Sequence, residues 1–261
     1  MAQTAIDWAG QSCSPAQRHL RLQSVIQLAR FSRAEDPRHE IPPEGVFGHR
    51  HQRPTPYIFS TQELQAVLTQ AARLGPPGSL RPHTYSTLLA LLAVTGLRIS
   101  EAVALRLSDL TQDGLVIRET KFRKSRIAPL HQTSRVALER YVEKRCPFAC
   151  DDDHLFISQR RRPLCAHVVR VTFHQLLAAA GIARAKGGPR PRLIDLRHTY
   201  ATTVLVTGPD DRDHIRRHMV ALSTALGHST IASTFWYLER TPQLMVDIAK
   251  TCETCFERTQ P

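Results

Sequence analysis

The sequence predicts a mainly α fold with a small antiparallel β-hairpin sheet, an α+β class. Three observations carry that expectation. Helix start and stop signals recur from Ser60 to Pro242, strand signals are confined to short runs, and 42% apolar against 22% charged residues over 261 positions supports a buried core.

Taken in order, Pro15 to Phe31 places Leu20, Val25, Ile26 and Leu28 among arginines and glutamines, which reads as one moderately amphipathic helix. Asp36 to Pro56 holds five prolines and two glycines among histidines and arginines, the composition of an extended basic linker. The expected division is therefore 1–54, a short helical region with its Pro-rich linker, and 55–261. Ser60-Thr-Gln-Glu63 is a capping box that opens a helix through Arg73, closed by Gly75-Pro76-Pro77-Gly78. Residues 84–95 are almost wholly apolar and should lie at the centre of the core, with Gly96 as a left-handed stop. Helix resumes over Ser100–Leu107, with Ser100 as a candidate cap. Asp113-Gly114 signals a turn, with strands expected at 115–120 and 126–130 around a basic tip. Helices follow near 133–145, 166–180, 194–206 and 214–226, with a short strand at Leu155–Ser158. A helix around Ile231–Leu238 and a last one capped at Thr241-Pro242 complete the chain.

Charge narrows the function. Thirty-five Lys and Arg against 23 Asp and Glu give +12, which favours a polyanionic partner, nucleic acid or an anionic membrane surface. The longest apolar run, Leu88 to Val94, falls far short of the ~18 residues a membrane span requires. Met1 to Gly10 carries Asp7 and lacks a basic stretch followed by an apolar one, so it is no secretory signal, and a cytosolic protein is expected. Reduced thiols then follow for Cys13, Cys146, Cys150, Cys165, Cys252 and Cys255. Cys252-Glu-Thr-Cys255 has zinc-like spacing without a matching second pair. Cys146, Cys150, His154, Cys165 and His167 could gather around a metal, but structural sites usually show two well-spaced pairs, so none is expected.

The basic residues are clustered. Arg118, Lys121, Arg123, Lys124 and Arg126 share the hairpin, and Arg160, Arg161 and Arg162 are consecutive. Arg184, Lys186, Arg190 and Arg192 flank a Gly-Gly-Pro loop, and Arg212, Arg216 and Arg217 form a fourth group. A charge run alone is usually a solvated face, yet four groups on one domain fit a surface tracking a phosphate backbone. No helix shows the basic and aromatic faces of a membrane-surface helix. Arg118, Arg123, Lys124, Arg126, Arg160, Arg161, Arg162 and Arg192 are the expected DNA contacts.

Three boxes stand in a fixed order: Thr95-Gly-Leu-Arg98-Ile-Ser-Glu101, then Asp195-Leu-Arg197-His198-Thr-Tyr-Ala-Thr202, then Leu226-Gly-His228 with Tyr237 beyond it. With Lys121 on the hairpin between the first two, this pattern resembles the tyrosine recombinase (phage integrase) family over about 57–245. The resemblance implies that family's catalytic-domain fold. It also implies double-stranded DNA as substrate, four protomers on paired sites, and no metal or other cofactor. Arg98 and Arg197 would neutralise the phosphorus transition state, since a guanidinium fork binds two phosphate oxygens and stays protonated. Lys121, with Lys124 as its competitor on the same tip, would protonate the leaving 5′ oxygen. His228 would donate to the phosphate, and Tyr237 would attack it. Leu244, Met245, Ile248 and Phe256 would offer an apolar stripe to a neighbouring protomer.

Plainer readings exist for each group. Arg98 can pair with Glu101, and Arg197 with Asp195 or another acid. His198 can be a core histidine, and Tyr237 a core aromatic beside Phe235 and Trp236. Glu101, Asp109 and Gly227 read as a local pairing, a cap and a helix stop. Two departures from the family pattern stand out. Ile194 occupies the position where the second box normally opens with a histidine, and the stretch ahead of residue 55 has room for only one or two helices of a DNA clamp. A non-catalytic DNA-binding member and a type IB topoisomerase-like nicking–closing protein are the alternatives to a recombinase.

Overall fold

The computed structural model describes residues 2–48, 55–118, 125–148, 152–183, 188–207, 212–227 and 234. The chain divides into two compact units, Met1–Pro54 and Thr55–Pro261.

In the first unit, α1 (Ala2–Gly10) and α2 (Pro15–Glu35) are joined by a short turn. Pro15 starts α2 where its missing N–H costs nothing, and Leu22 and Ile26, one turn apart, close over Ala9 in a small core. The segment read as linker contributes Ile41 and Phe47 to that core, so it packs rather than merely spans. Helix α1 carries no cap signal and escaped the sequence reading. Packing holds it, including the Arg21 guanidinium stacked 5.2 Å from the Trp8 ring centroid.

In the second unit, α3 (Thr61–Ala71) begins with the expected capping box, Ser60 Oγ accepting from Glu63 N and Glu63 accepting from Ser60 N. The central helix α4 (Arg81–Thr95) buries Tyr85, Leu88, Leu89, Leu91 and Leu92. It lies against α3, α6 (Gln132–Arg145) and α8 (Asp195–Val206). Contact with three helices explains why so much of its surface is apolar, with Val94 left exposed near its end. A short helix α5 (Ile99–Ala104) follows, then a 3-10 turn at Leu107–Asp109.

The sheet has three antiparallel strands in sequence order, β1 (Leu110–Thr111), β2 (Gly114–Ile117) and β3 (Arg126–Ala128). Leu115 pairs with Leu110 and Ala128, and Ile117 pairs with Arg126. The expected strand at Leu155–Ser158 is absent. That segment makes one isolated bridge, Ile157 to Pro163, with another just ahead of it between Arg106 and His154, because a tight turn at 158–162 folds it back at once. Buried Arg145 holds the approach to it by donating to the carbonyls of Asp152 and His154. Helix α7 (Ala166–Ala179) completes the main core through Val169, Phe173, Leu176 and Leu177. Helix α9 (Arg212–Leu226) packs on α8 through Leu222 and Leu226 against Ala201 and Tyr200.

Candidate active site

Three chain segments far apart in sequence meet at one point. The first is the exit from α4. Gly96 turns with φ +63°, and a Cβ there would sit 2.5 Å from Tyr200 Cδ1, so only glycine lets α4 and α8 approach this closely. Two residues on, Arg98 is extended and immediately precedes α5. Glu101 accepts from Arg98 N at 2.9 Å and from Arg98 Nη1 at 2.8 Å, so the helix start is organised around Arg98 rather than Ser100. The second segment is α8, whose Arg197 is only 3% exposed. The third is the end of α9, where Gly227 turns with φ +64°.

The two arginines of the first two boxes converge on that third segment. Arg197 donates through Nη1 to Gly96 O at 2.7 Å and through Nη2 to Leu226 O at 2.6 Å. Arg98 donates through Nη1 to the same Leu226 O at 3.4 Å and through Nη2 to Gly227 O at 3.3 Å. Main-chain carbonyls thus orient both guanidiniums, and Arg98 in addition keeps its ion pair with Glu101. The next residue in the chain is His228. A cleft of about 850 Å³, lined by Arg98, Ser100, Glu101, Arg106, Ser108 and Arg118 among others, opens beside Arg98.

Arg126 is placed differently from the expectation of a DNA contact. Its side chain is 10% exposed and forks onto Glu101, Nη2 to Oε2 at 2.8 Å and Nη1 to Oε1 at 3.2 Å, while Nε donates to Ala225 O at 2.9 Å. The reason is strand alternation: Arg126 and buried Ala128 share the inner face of β3, and exposed Ile127 takes the outer one. That alternation, together with the acid at Glu101, was the signal available in the sequence. A Cβ on Gly227 would lie 2.6 Å from Arg126 Nη1, so a side chain there would displace the guanidinium as well as strain the left-handed turn. Burial pushes the Glu101 carboxyl up. The hydrogen bonds and charges of Arg126 and Arg98 outweigh it and hold the group below its ordinary range.

The other expected contacts are scattered over the surface. Arg118 pairs through Nε with buried Asp109, which also caps the 3-10 turn by accepting from Arg106 N. Arg160, Arg161 and Arg162 are exposed and line a groove with Arg106, Asp153 and His154. Arg192 ties itself to fully buried Asp195 by Nη2 at 2.9 Å, at the start of α8. Asp195 is therefore engaged by Arg192, with His198 Nε2 at 3.9 Å, while Arg197 donates to the Gly96 and Leu226 carbonyls. Ile194, just ahead of α8, is 40% exposed, an apolar side chain left in solvent. Lys121, Arg123, Lys124, His228 and Tyr237, the helix expected at 231–238 apart from the buried, helical Thr234, and Leu244, Met245, Ile248 and Phe256 lie outside the described residues. Among the described residues no group of three His, Cys, Asp or Glu is placed to hold a metal, and no helix is long and apolar enough to cross a membrane.

The model of the phage integrase family matches residues 59–243. The chain belongs to that family, the tyrosine recombinases. It is 36% identical to a putative integrase/recombinase, y4rB, of Sinorhizobium fredii, over 97% of this chain and 84% of the relative. It is 31% identical to the tyrosine recombinase XerD of Caulobacter vibrioides, over 94% of this chain and 76% of that protein. The fold is similar to that of the XerH site-specific recombinase bound to its palindromic difH substrate in a post-cleavage complex. There the TM-score is 0.69 at 20% identity, covering 97% of this chain and 71% of that one. The Tn1549 transposon integrase in complex with transposon right end DNA gives 0.67 at 19% identity, covering 95% and 85%. Tyrosine recombinases cleave and rejoin DNA.

Proposed function

We propose that this tyrosine recombinase is a site-specific DNA recombinase or integrase of a mobile element, working through a 3′-phosphotyrosyl intermediate. The observation that carries the proposal is the meeting of Arg98 and Arg197 at the Leu226 carbonyl, directly ahead of His228. Two guanidiniums held in place by main-chain carbonyls are what a pentavalent phosphorus transition state requires, since stabilisation there depends on groups already in position.

In this reading Arg98 and Arg197 each bind nonbridging oxygens of the scissile phosphate, and His228 donates to one of them. The Tyr237 oxygen attacks phosphorus, an O–P bond forms, and the bond from phosphorus to the 5′ oxygen breaks. The phenolic proton is lost to solvent, and the leaving oxygen takes a proton from the Lys121 ammonium, or from Lys124 if that is the one at the phosphate. The phosphotyrosyl ester conserves the bond for attack by a new 5′-hydroxyl, so no cofactor is needed. Arg118, Arg123, Lys124, Arg160, Arg161, Arg162 and Arg192 contact the duplex backbone, and residues 1–54 act as a small clamp. Exchange between two sites requires four protomers. A lambda integrase tetramer bound to a Holliday junction is among the solved structures with this fold.

Ile194 favours a second reading, a DNA-binding member with weakened cleavage. Isoleucine cannot donate to phosphate or carry a proton, and general acid–base help of this kind is typically worth about 10²–10⁴-fold. A nicked suicide substrate distinguishes the two. The wild-type protein is expected to accumulate a covalent adduct slowly, and Ile194→His to accelerate it by at least about 10-fold. No adduct from the wild type, with adduct from Ile194→His, would leave the chain a DNA binder.

A further inference from the structure

Arg126 belongs to none of the three boxes, yet it contacts the first and the residue just ahead of the third. Its fork closes on Glu101 of the first box, and its Nε holds Ala225 O one residue ahead of the Leu226 carbonyl on which Arg98 and Arg197 meet. Glu101 is shared: Oε1 accepts from Arg98 and Arg126, and Oε2 accepts from Arg98 N and Arg126. The strand that carries Arg126 is the return arm of the basic hairpin, and Lys124 and Lys121 precede it by only a few residues in the chain. We propose that Arg126 is a positioning residue for strand cleavage, pinning the hairpin to the end of α9 and holding Glu101 so that Arg98 stays aimed at the phosphate. The inference rests on the phosphotyrosyl reading above and deepens it.

The argument is one of shared valence. With Arg126 present, the buried Glu101 carboxylate divides its charge between two guanidiniums; without it, the whole carboxylate falls to Arg98, tightening that existing pair and drawing the guanidinium inward. At the same time the Ala225 carbonyl, two residues ahead of the left-handed Gly227, loses its Arg126 donor. Arg126 touches no DNA in this account because its guanidinium is turned into the protein. A phosphate-contacting arginine and a positioning one therefore leave different signatures.

The test is single-turnover cleavage of the suicide substrate by full-length wild-type, Arg126→Ala and Arg126→Lys proteins, with DNA affinity measured against salt on the same preparations. Arg126→Ala is expected to cleave about 10²-fold more slowly at saturating DNA, the scale of loss from misplacing a catalytic group by about 1 Å. Its affinity and salt slope should match the wild type, whereas loss of one phosphate contact would flatten that slope by about 1. Arg126→Lys keeps the charge and reaches one acceptor at a time. It is expected to recover part of the rate, and it serves as the folded comparison if the alanine variant melts too low to assay. A wild-type cleavage rate at saturating DNA with weakened, flatter-sloped binding would overturn the inference and leave the phosphotyrosyl reading intact. No adduct from the wild-type protein would overturn both.

Discussion

Arg197→Ala is expected to abolish measurable strand cleavage while also loosening the fold. One preorganised donor to a transition-state oxygen is worth about 10²–10³-fold, and a charged fork that binds two oxygens stands at the upper end of that range. The same substitution takes this donor from buried Gly96 O and leaves Leu226 O with the longer, 3.4 Å donation from Arg98 Nη1. Each buried acceptor left unsatisfied costs about 1–3 kcal/mol. Suicide-substrate cleavage and urea unfolding on one preparation check both parts. Arg197→Lys retains a charge but can serve only one carbonyl at a time, so it should keep more stability than rate. A variant that loses stability yet cleaves at the wild-type rate per folded molecule would reduce Arg197 to a structural strut.

Glu101→Ala should be the most destabilising change at the site. It leaves Arg126, 10% exposed, without its carboxylate, and removing one partner of a buried pair costs about 3–5 kcal/mol. Glu101→Gln, which keeps the shape and one acceptor, should cost less. The pH dependence follows from the direction of the shift. The Glu101 carboxyl is held below its ordinary 4.5 in the folded protein, so its contribution is fully present above that value. It is lost as pH falls through the lower, folded value. The stability difference between the wild type and Glu101→Gln should therefore be flat near neutrality and shrink only in acid. A difference that instead vanished between neutrality and pH 4.5 would mean that the carboxyl is not held low by its arginines.

Much of this site is legible in the sequence. Gly96 and Gly227 stood at helix ends where glycine is the expected stop, and both adopt the left-handed turn. Arg98, Glu101 and Arg197 were singled out by residue pattern, and the local pairing of Arg98 with Glu101 forms alongside the convergence on α9 rather than instead of it. What sequence could not supply was direction. Arg126 lay in a basic run, and only the pairing of β2 with β3 decides which of its neighbours faces the core. Arg197 was offered an acid two residues away, but on a helix that spacing points the two side chains apart, and Asp195 went to Arg192. Helix α1 and the packing of Ile41 and Phe47 were missed because they arise from tertiary contact, without caps or periodicity to announce them. The expected strand at Leu155–Ser158 had the composition of a strand and lacked a partner strand to pair with.

The central claim is that a tyrosine carries the cut strand, and mapping the DNA-linked peptide tests it most directly. The suicide-substrate adduct is digested with protease and nuclease, and the modified residue is located by mass spectrometry. The account predicts a nucleotide on Tyr237 and no adduct from Tyr237→Phe. Attachment at Tyr57, Tyr85, Tyr141 or Tyr200, or an adduct that survives Tyr237→Phe, would contradict it.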